Sequence, residues 1–257
     1  MHVPYQRIGE YLSFIKEQRI NLEIYFSAES IDSLAPDALA LLTSNLDYHP
    51  VLTMHAPFMD LSPGAVDSQI RAVTVTRFNQ IFEIAHVLQP ECIVFHSGYE
   101  KWKYAMRVDL WLKNSLKTWE HFAKRSADMG IKIAIENIFE DEPTNLRLLM
   151  EEMGSEYFGL CFDAGHFNLF SRIPLGEWLD QISRYIVELH LHDNNRTFDD
   201  HKAIGDGTFD FQTLFSAVRD RKPIYTIEGH TREAVVKSME ALQRFAMHED
   251  TDENAAV

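Results

Sequence analysis

Residues 186–193 read IVELHLHD, a short apolar run that ends in metal-capable side chains. A strand turns its side chains to alternate faces, so His190 and His192 share one face and either is a candidate ligand. The loop behind it, NNRTFDDHKAIGDG over 194–207, adds Asp199 and His201 as a further pair. A soluble chain crowds such groups together where they converge on something.

Seven other β-rich runs resemble this one in length: HVPY (2–5), NLEIYF (21–26), VLTMHAP (51–57), CIVFHS (92–97), KIAIEN (132–137), FGLCFD (158–163) and IYTIEG (224–229). Segments of helical period lie between them, among them IGEYLSFIKEQ (8–18), PDALALLTSNL (36–46), QIRAVTVTRFNQIFEIAHVL (69–88), LWLKNSLKTWEHFAKRSADMG (110–130), NLRLLMEEMG (145–154) and FQTLFSAVRDR (211–221). The runs are apolar at nearly every position, as parallel strands covered on both faces must be. Strand alternating with helix eight times predicts an α/β fold, a single-domain (β/α)8 TIM barrel. An open doubly wound sheet would carry a glycine-rich first turn, and no GxGxxG occurs among the 11 glycines.

The bulk numbers bound the function. With 257 residues, 46% hydrophobic, the chain can bury a large core. No composition break suggests a second domain, so 1–248 is assigned to the barrel and the acidic segment 249–257 to a frayed tail. Cys92 and Cys161 sit in apolar runs and are expected to be reduced core residues. No run of about 18 apolar residues occurs and the start lacks the pattern of a signal peptide, so we expect a cytoplasmic protein without membrane contact. The net charge of −15 argues against nucleic acid as a partner.

The ends of the runs carry the chemistry. The third closes on His55, the fourth on His96 and the fifth on Glu136; the sixth closes on Asp163 with His166 three residues on, and the eighth closes on Glu228. Core packing requires none of these residues. In a barrel the C-terminal strand ends meet at one mouth, and charged groups brought together there need a cation. Nitrogen and oxygen donors without thiolate suit zinc, manganese, iron or cobalt.

The motifs HAP, FHSG, IEN, DAGH, HLHDNNR, DDHKAIGDG and the final IEG together resemble the xylose-isomerase-like barrel superfamily, over nearly the whole chain. That superfamily holds sugar isomerases and epimerases as well as the endonuclease IV family of abasic-site repair enzymes. The resemblance implies a ligand set of His55, His96, Glu136, Asp163, His166, His190, Asp199, His201 and Glu228, holding one to three divalent ions. It selects His190 over His192, because a ligand histidine of the epimerases is followed six residues later by arginine, here Arg196. It also implies that Glu136, Asp163, His190 and Glu228 hold one metal, and that the two glutamates move the substrate proton.

The two family chemistries make different demands. An isomerase or epimerase needs a metal to stabilise an enediolate, with an acid and a base beside the carbon. A phosphodiesterase needs two or three metals, which the additional ligands would serve. Against the second, the strand-end loops MDLSPGAVD, FEDEPTN and NNRTFDD are neutral or acidic, whereas a DNA enzyme usually offers basic ones. HSG also stands where the repair enzymes have HPG, and HLHDNNR where they have HLND followed by a small residue and a lysine. The expectation is therefore a metal-dependent isomerase or epimerase of a small sugar, ketose or sugar phosphate. The alternative is a multinuclear phosphodiesterase related to endonuclease IV.

Arg196, His192, Glu23 and Trp102 are the candidate substrate contacts. Trp102 belongs to the aromatic, locally basic loop 99–111, which reads either as a lid or as the packing face of the next helix. Glu23 reads as a substrate contact or as an interior ion pair. A small carbohydrate is the expected partner. Barrels of this size often pair, which makes a homodimer the assembly to test.

Overall fold

The computed structural model describes residues 1–253, with side chains through Phe245. Eight parallel strands run in sequence order round one sheet. They are β1 (His2–Pro4), β2 (Leu22–Tyr25), β3 (Leu52–His55), β4 (Cys92–His96), β5 (Lys132–Glu136), β6 (Phe158–Asp163), β7 (Ile186–Leu191) and β8 (Ile224–Ile227). The helices between them are α1 (Ile8–Gln18), α2 (Ala28–Asp32), α3 (Ala38–Asn45), α4 (Ser68–Leu88), α5 (Val108–Met129), α6 (Thr144–Met153), α7 (Ala164–Phe170), α8 (Leu175–Ile182), α9 (Phe211–Val218) and α10 (Arg232–Glu253). This is a single-domain (β/α)8 barrel, as the alternation predicts. α10 runs to Glu253 and so enters the segment expected to fray; residues 254–257 of that tail lie outside the described residues.

Alternation along each strand sorts the side chains. Ile93 and Phe95 of β4, Ile133 and Ile135 of β5, Leu160 and Phe162 of β6, and Leu189 and Leu191 of β7 belong to the main core beneath the helices. The alternate residues Cys92, Val94, Ala134 and Cys161 form a separate small cluster inside the barrel. Both cysteines are free and buried, as expected. Between β4 and its covering helices, Phe95 packs edge-on against Phe78 of α4 (4.6 Å between ring centres) and Trp119 of α5 (5.3 Å).

Local signals place the helix starts. Asp67 caps α4, its side chain accepting from the N–H groups of Gln69 and Ile70, and Asp210 caps α9 by accepting from Thr213. Asp163 ends β6 and also caps α7, accepting from the N–H of His166 at 2.6 Å. α5 closes on Gly130 in the left-handed conformation (φ 70°). No helix among the described residues is long and apolar enough to cross a membrane.

Candidate metal centre

The inward positions at the C-terminal strand ends converge. Register pairs His96 with Glu136 across β4 and β5, and Asp163 with His190 across β6 and β7, so neighbours arrive at one level. Glu136 is the hub. Its Oε2 lies 3.0 Å from His55 Nε2 and 3.1 Å from His96 Nε2. Its Oε1 lies 3.2 Å from His166 Nδ1 and 3.4 Å from His190 Nδ1. His190 Nδ1 also stands 3.2 Å from Glu228 Oε1 and 3.7 Å from Asp163 Oδ2. On the far side Asp199 Oδ2 lies 3.1 Å from His201 Nε2 and 3.5 Å from His166 Nε2. All nine side chains of the expected ligand set thus meet in one connected cluster.

Several groups of three in and around it could each hold a cation, among them His55, His96 and Glu136; Glu136, Asp163 and His166; His192, Asp199 and His201; His2, Glu23 and Glu228; and Glu23, Glu188 and His190. The hydrogen bonding fits that role. His55 Nδ1 donates to the Ala56 carbonyl and His201 Nδ1 to the Glu228 carbonyl, which leaves each Nε2 lone pair aimed at a carboxylate. His190 Nδ1 and His192 Nδ1 are buried without a hydrogen-bond partner. A lone pair facing an anion is repulsive unless a proton or a cation lies between them. Among the described residues, the ion pairs of Glu136, Asp163, Asp199 and Glu228 are all with histidines, none with lysine or arginine. Four clustered carboxylates of this kind suit a divalent ion bound by nitrogen and oxygen.

The titration of the cluster follows from its crowding. Burial opposes charge on Glu136, yet His190 and His96 beside it hold the carboxyl well below its usual range. Burial likewise opposes charge on Glu228, and His190 and His2 overcome it in the same direction. Burial disfavours a charged His190, but Cys161, Glu23, Glu228 and Glu136 around it push the imidazole well above its ordinary value. At His96 burial wins and lowers it.

A cavity of about 790 Å³ opens above the cluster, within the range of small-molecule sites. Its floor includes His55, His96, Glu136, His166, Asp199, His201 and Glu228, and its walls include Tyr25, Phe58, Tyr99, Phe139 and Phe170. Phe58 stacks on His96 with ring centres 4.1 Å apart.

None of the four expected substrate contacts lines this cavity. Trp102 is 74% exposed on the outside of its turn. The rest of its loop is divided: Tyr99, Glu100 and Lys103 line the cavity, while Trp111 is buried with its indole N–H on the Ser97 carbonyl and Tyr104 reaches Ser62. The loop's cations are also engaged, Lys101 with Asp141, Lys103 with Glu100 and Arg107 with Asp109. Arg196 turns away, donating from Nε to Asn168 Oδ1. His192 is buried, 3.2 Å from Asp163 and stacked on His201 at 4.0 Å. Its ring fills the space where a side chain on Gly165 would stand. Glu23 is 1% exposed and takes the interior ion pair, with His190 and His2.

Four residues escaped the sequence reading. His2 joins the cluster from β1, and His230 stacks on His201 at 4.1 Å. Glu188 is buried on the His190 face, accepting from the Thr226 hydroxyl at 2.7 Å; strict alternation through Glu188, His190 and His192 was its signal. Asp193 explains the motif HDN…GDG. Its carboxylate accepts from the backbone N–H groups of Asn194, Gly205, Gly207, Thr208 and Phe209, pinning the loop that delivers Asp199 and His201. A Cβ on Gly207 would strike Asp193 and the Asn194 carbonyl, hence the glycine.

Comparison with known proteins agrees with this architecture. Residues 22–245 match the family described as xylose isomerase-like TIM barrel. The Methanocaldococcus jannaschii protein MJ1311 is 29% identical over 227 residues, covering 84% of this chain and 78% of that protein. A crystal structure described as a D-tagatose 3-epimerase-like protein superposes with TM-score 0.80 at 26% identity, covering 99% of both chains. The Thermus thermophilus protein TTHB071, soaked with ZnCl2, gives TM-score 0.80 at 24% identity over 96% of this chain and 97% of that one.

Proposed function

This chain belongs to the xylose isomerase-like TIM barrel family, and from that premise we propose that it is a divalent-metal-dependent isomerase or epimerase of a small sugar or ketose. The observation that carries the proposal is the pair Glu136 and Glu228. Both reach the cavity floor, from strand ends three apart, and both approach His190 Nδ1. A divalent ion held by Glu136, Asp163, His190 and Glu228 would supply polarisation of a carbonyl and its neighbouring hydroxyl.

The chain's own residues do the rest. One glutamate takes the proton from the carbon beside the carbonyl and the other returns it from the opposite side, which inverts that centre. Tyr25, Phe58 and Phe170 wall the cavity and exclude water from the exchange. Phe58, stacked on His96, orients that ring toward Glu136.

Incubation of the metal-loaded protein with a panel of ketoses in deuterated water tests this, read by loss of a carbon-bound proton signal in NMR. Exchange with any member supports the proposal. A protein that exchanges no ketose proton but cleaves an activated phosphodiester is the multinuclear hydrolase instead. One observation favours that second reading: several groups in and around the cluster could hold a cation, and Glu136 belongs to two of those named above. The acidic and neutral mouth loops, and the paired cations of loop 99–111, favour the first.

A further inference from the structure

Glu23 has no access to the cavity, yet both of its oxygens are committed. Residues 2 and 23 are register partners across β1 and β2, which sets their side chains next to one another on one face. Glu23 Oε1 lies 2.9 Å from His2 Nδ1, and Oε2 lies 3.2 Å from His190 Nε2. His2 Nδ1 is also 2.9 Å from Glu228 Oε1, which in turn is 3.2 Å from His190 Nδ1. His190, Glu23, His2 and Glu228 therefore close a ring of contacts, with His2 and Glu228 on the cavity side and Glu23 and His190 behind them.

The ring fixes proton positions. Carboxylates, which can only accept, face both ring nitrogens of His190. A cation among Glu136, Asp163 and Glu228 would replace the hydrogen on Nδ1, so the ring that binds it keeps its one hydrogen on Nε2 and donates it to Glu23. The lone pair then resides on Nδ1, the buried atom without a partner that points among Glu136, Asp163 and Glu228. With Glu23 neutral or absent, the other tautomer becomes accessible and would aim an N–H at the position a cation needs. His2 Nδ1 has one hydrogen and two carboxylate neighbours, so it binds the orientation of Glu228 to that of Glu23.

We propose that Glu23 and His2 are positioning residues: Glu23 sets the tautomer and ring orientation of His190, and His2 ties that carboxylate to Glu228. Outer partners of this type typically alter metal affinity by about 10–100-fold. The proposal rests on a divalent-metal site at the cluster, and is indifferent to the choice between epimerase and hydrolase.

The test is Zn²⁺ binding by chelator competition to the full chain and its variants, with circular dichroism confirming that each is folded. Glu23→Gln should bind Zn²⁺ about 10–100-fold more weakly. In the zinc-loaded protein the His190 Nε2 proton should give a resolved imidazole signal in heteronuclear NMR, lost or displaced in that variant. His2→Ala should weaken binding by roughly 3–10-fold, and His2→Asn, whose amide nitrogen can stand where Nδ1 stands, should recover most of the loss. Should Glu23→Gln fail to fold, the partly exposed strand end at His2 carries the test alone. Wild-type affinity in folded Glu23→Gln and His2→Ala, with an unmoved imidazole signal, overturns the positioning role. A wild-type chain that binds no Zn²⁺ overturns the metal site together with it.

Discussion

The two faces of the barrel wall are built from the same strands and share almost nothing else. Phe95 and His96 are neighbours on β4, yet one is locked among Phe78, Phe82 and Trp119 while the other opens on the cavity beside Glu136. Ile135 and Glu136 on β5, and Phe162 and Asp163 on β6, repeat the division. On the outer face the requirement is bulk apolar volume, which many residues can supply. On the inner face each group is specified by charge and by which lone pair it offers, and small residues at Cys92, Ala134 and Cys161 leave room below. The lesson is that one-residue alternation lets a strand carry stability on one side and chemistry on the other.

Substitutions can break that division. The largest effect is expected for Glu228→Gln, which keeps the shape and removes the charge: turnover should fall by about 10²–10⁴-fold while circular dichroism shows the barrel still folded. Full activity in this variant would remove Glu228 from proton transfer. Phe95→Ala should do the reverse, costing about 3–5 kcal/mol of stability, read from urea unfolding, while the folded fraction binds metal as before. A weakened metal affinity there would mean that the faces are coupled through the wall.

Glu188 sharpens the contrast, being a buried inner-face carboxyl that does not line the cavity. Burial, with Glu23 nearby, pushes its carboxyl up to about 8. A raised carboxyl means that the folded chain keeps a proton which the unfolded chain has released. The stability this confers is complete below the ordinary carboxylate range and is lost as the pH rises through about 8. Glu188→Gln cannot lose it, so its melting advantage over the wild type should grow by roughly 5 °C between about pH 5 and about pH 9. An advantage that is flat with pH would place the Glu188 titration in the ordinary range. The smallest effect belongs to Trp102→Ala, on neither face, where both stability and activity should change by no more than about twofold in the relevant constant. A tenfold rise in KM would make Trp102 itself a substrate contact.

The alternation of eight runs with helical segments determined the barrel without help from the structure, because a period of two and a period of 3.6 leave different marks on a chain. The strand-end positions of His55, His96, Glu136, Asp163, His190 and Glu228 were legible for the same reason: a barrel delivers all its strand ends to one mouth. The direction in which a loop side chain turns was not legible. Arg196 goes to Asn168 and Trp102 to solvent, since backbone geometry and local partners decide that, and neither has a periodic signature. Glu23 could be read two ways in sequence, as substrate contact or ion pair; its contacts with His2 and His190 come only from the register that sets it beside His2 and from the curl of the sheet that brings β7 across to it. Sequence spacing determines which face a residue occupies. Which atom of that residue meets which neighbour, and so where each proton sits, is decided only when strands distant in the chain are brought within hydrogen-bond distance.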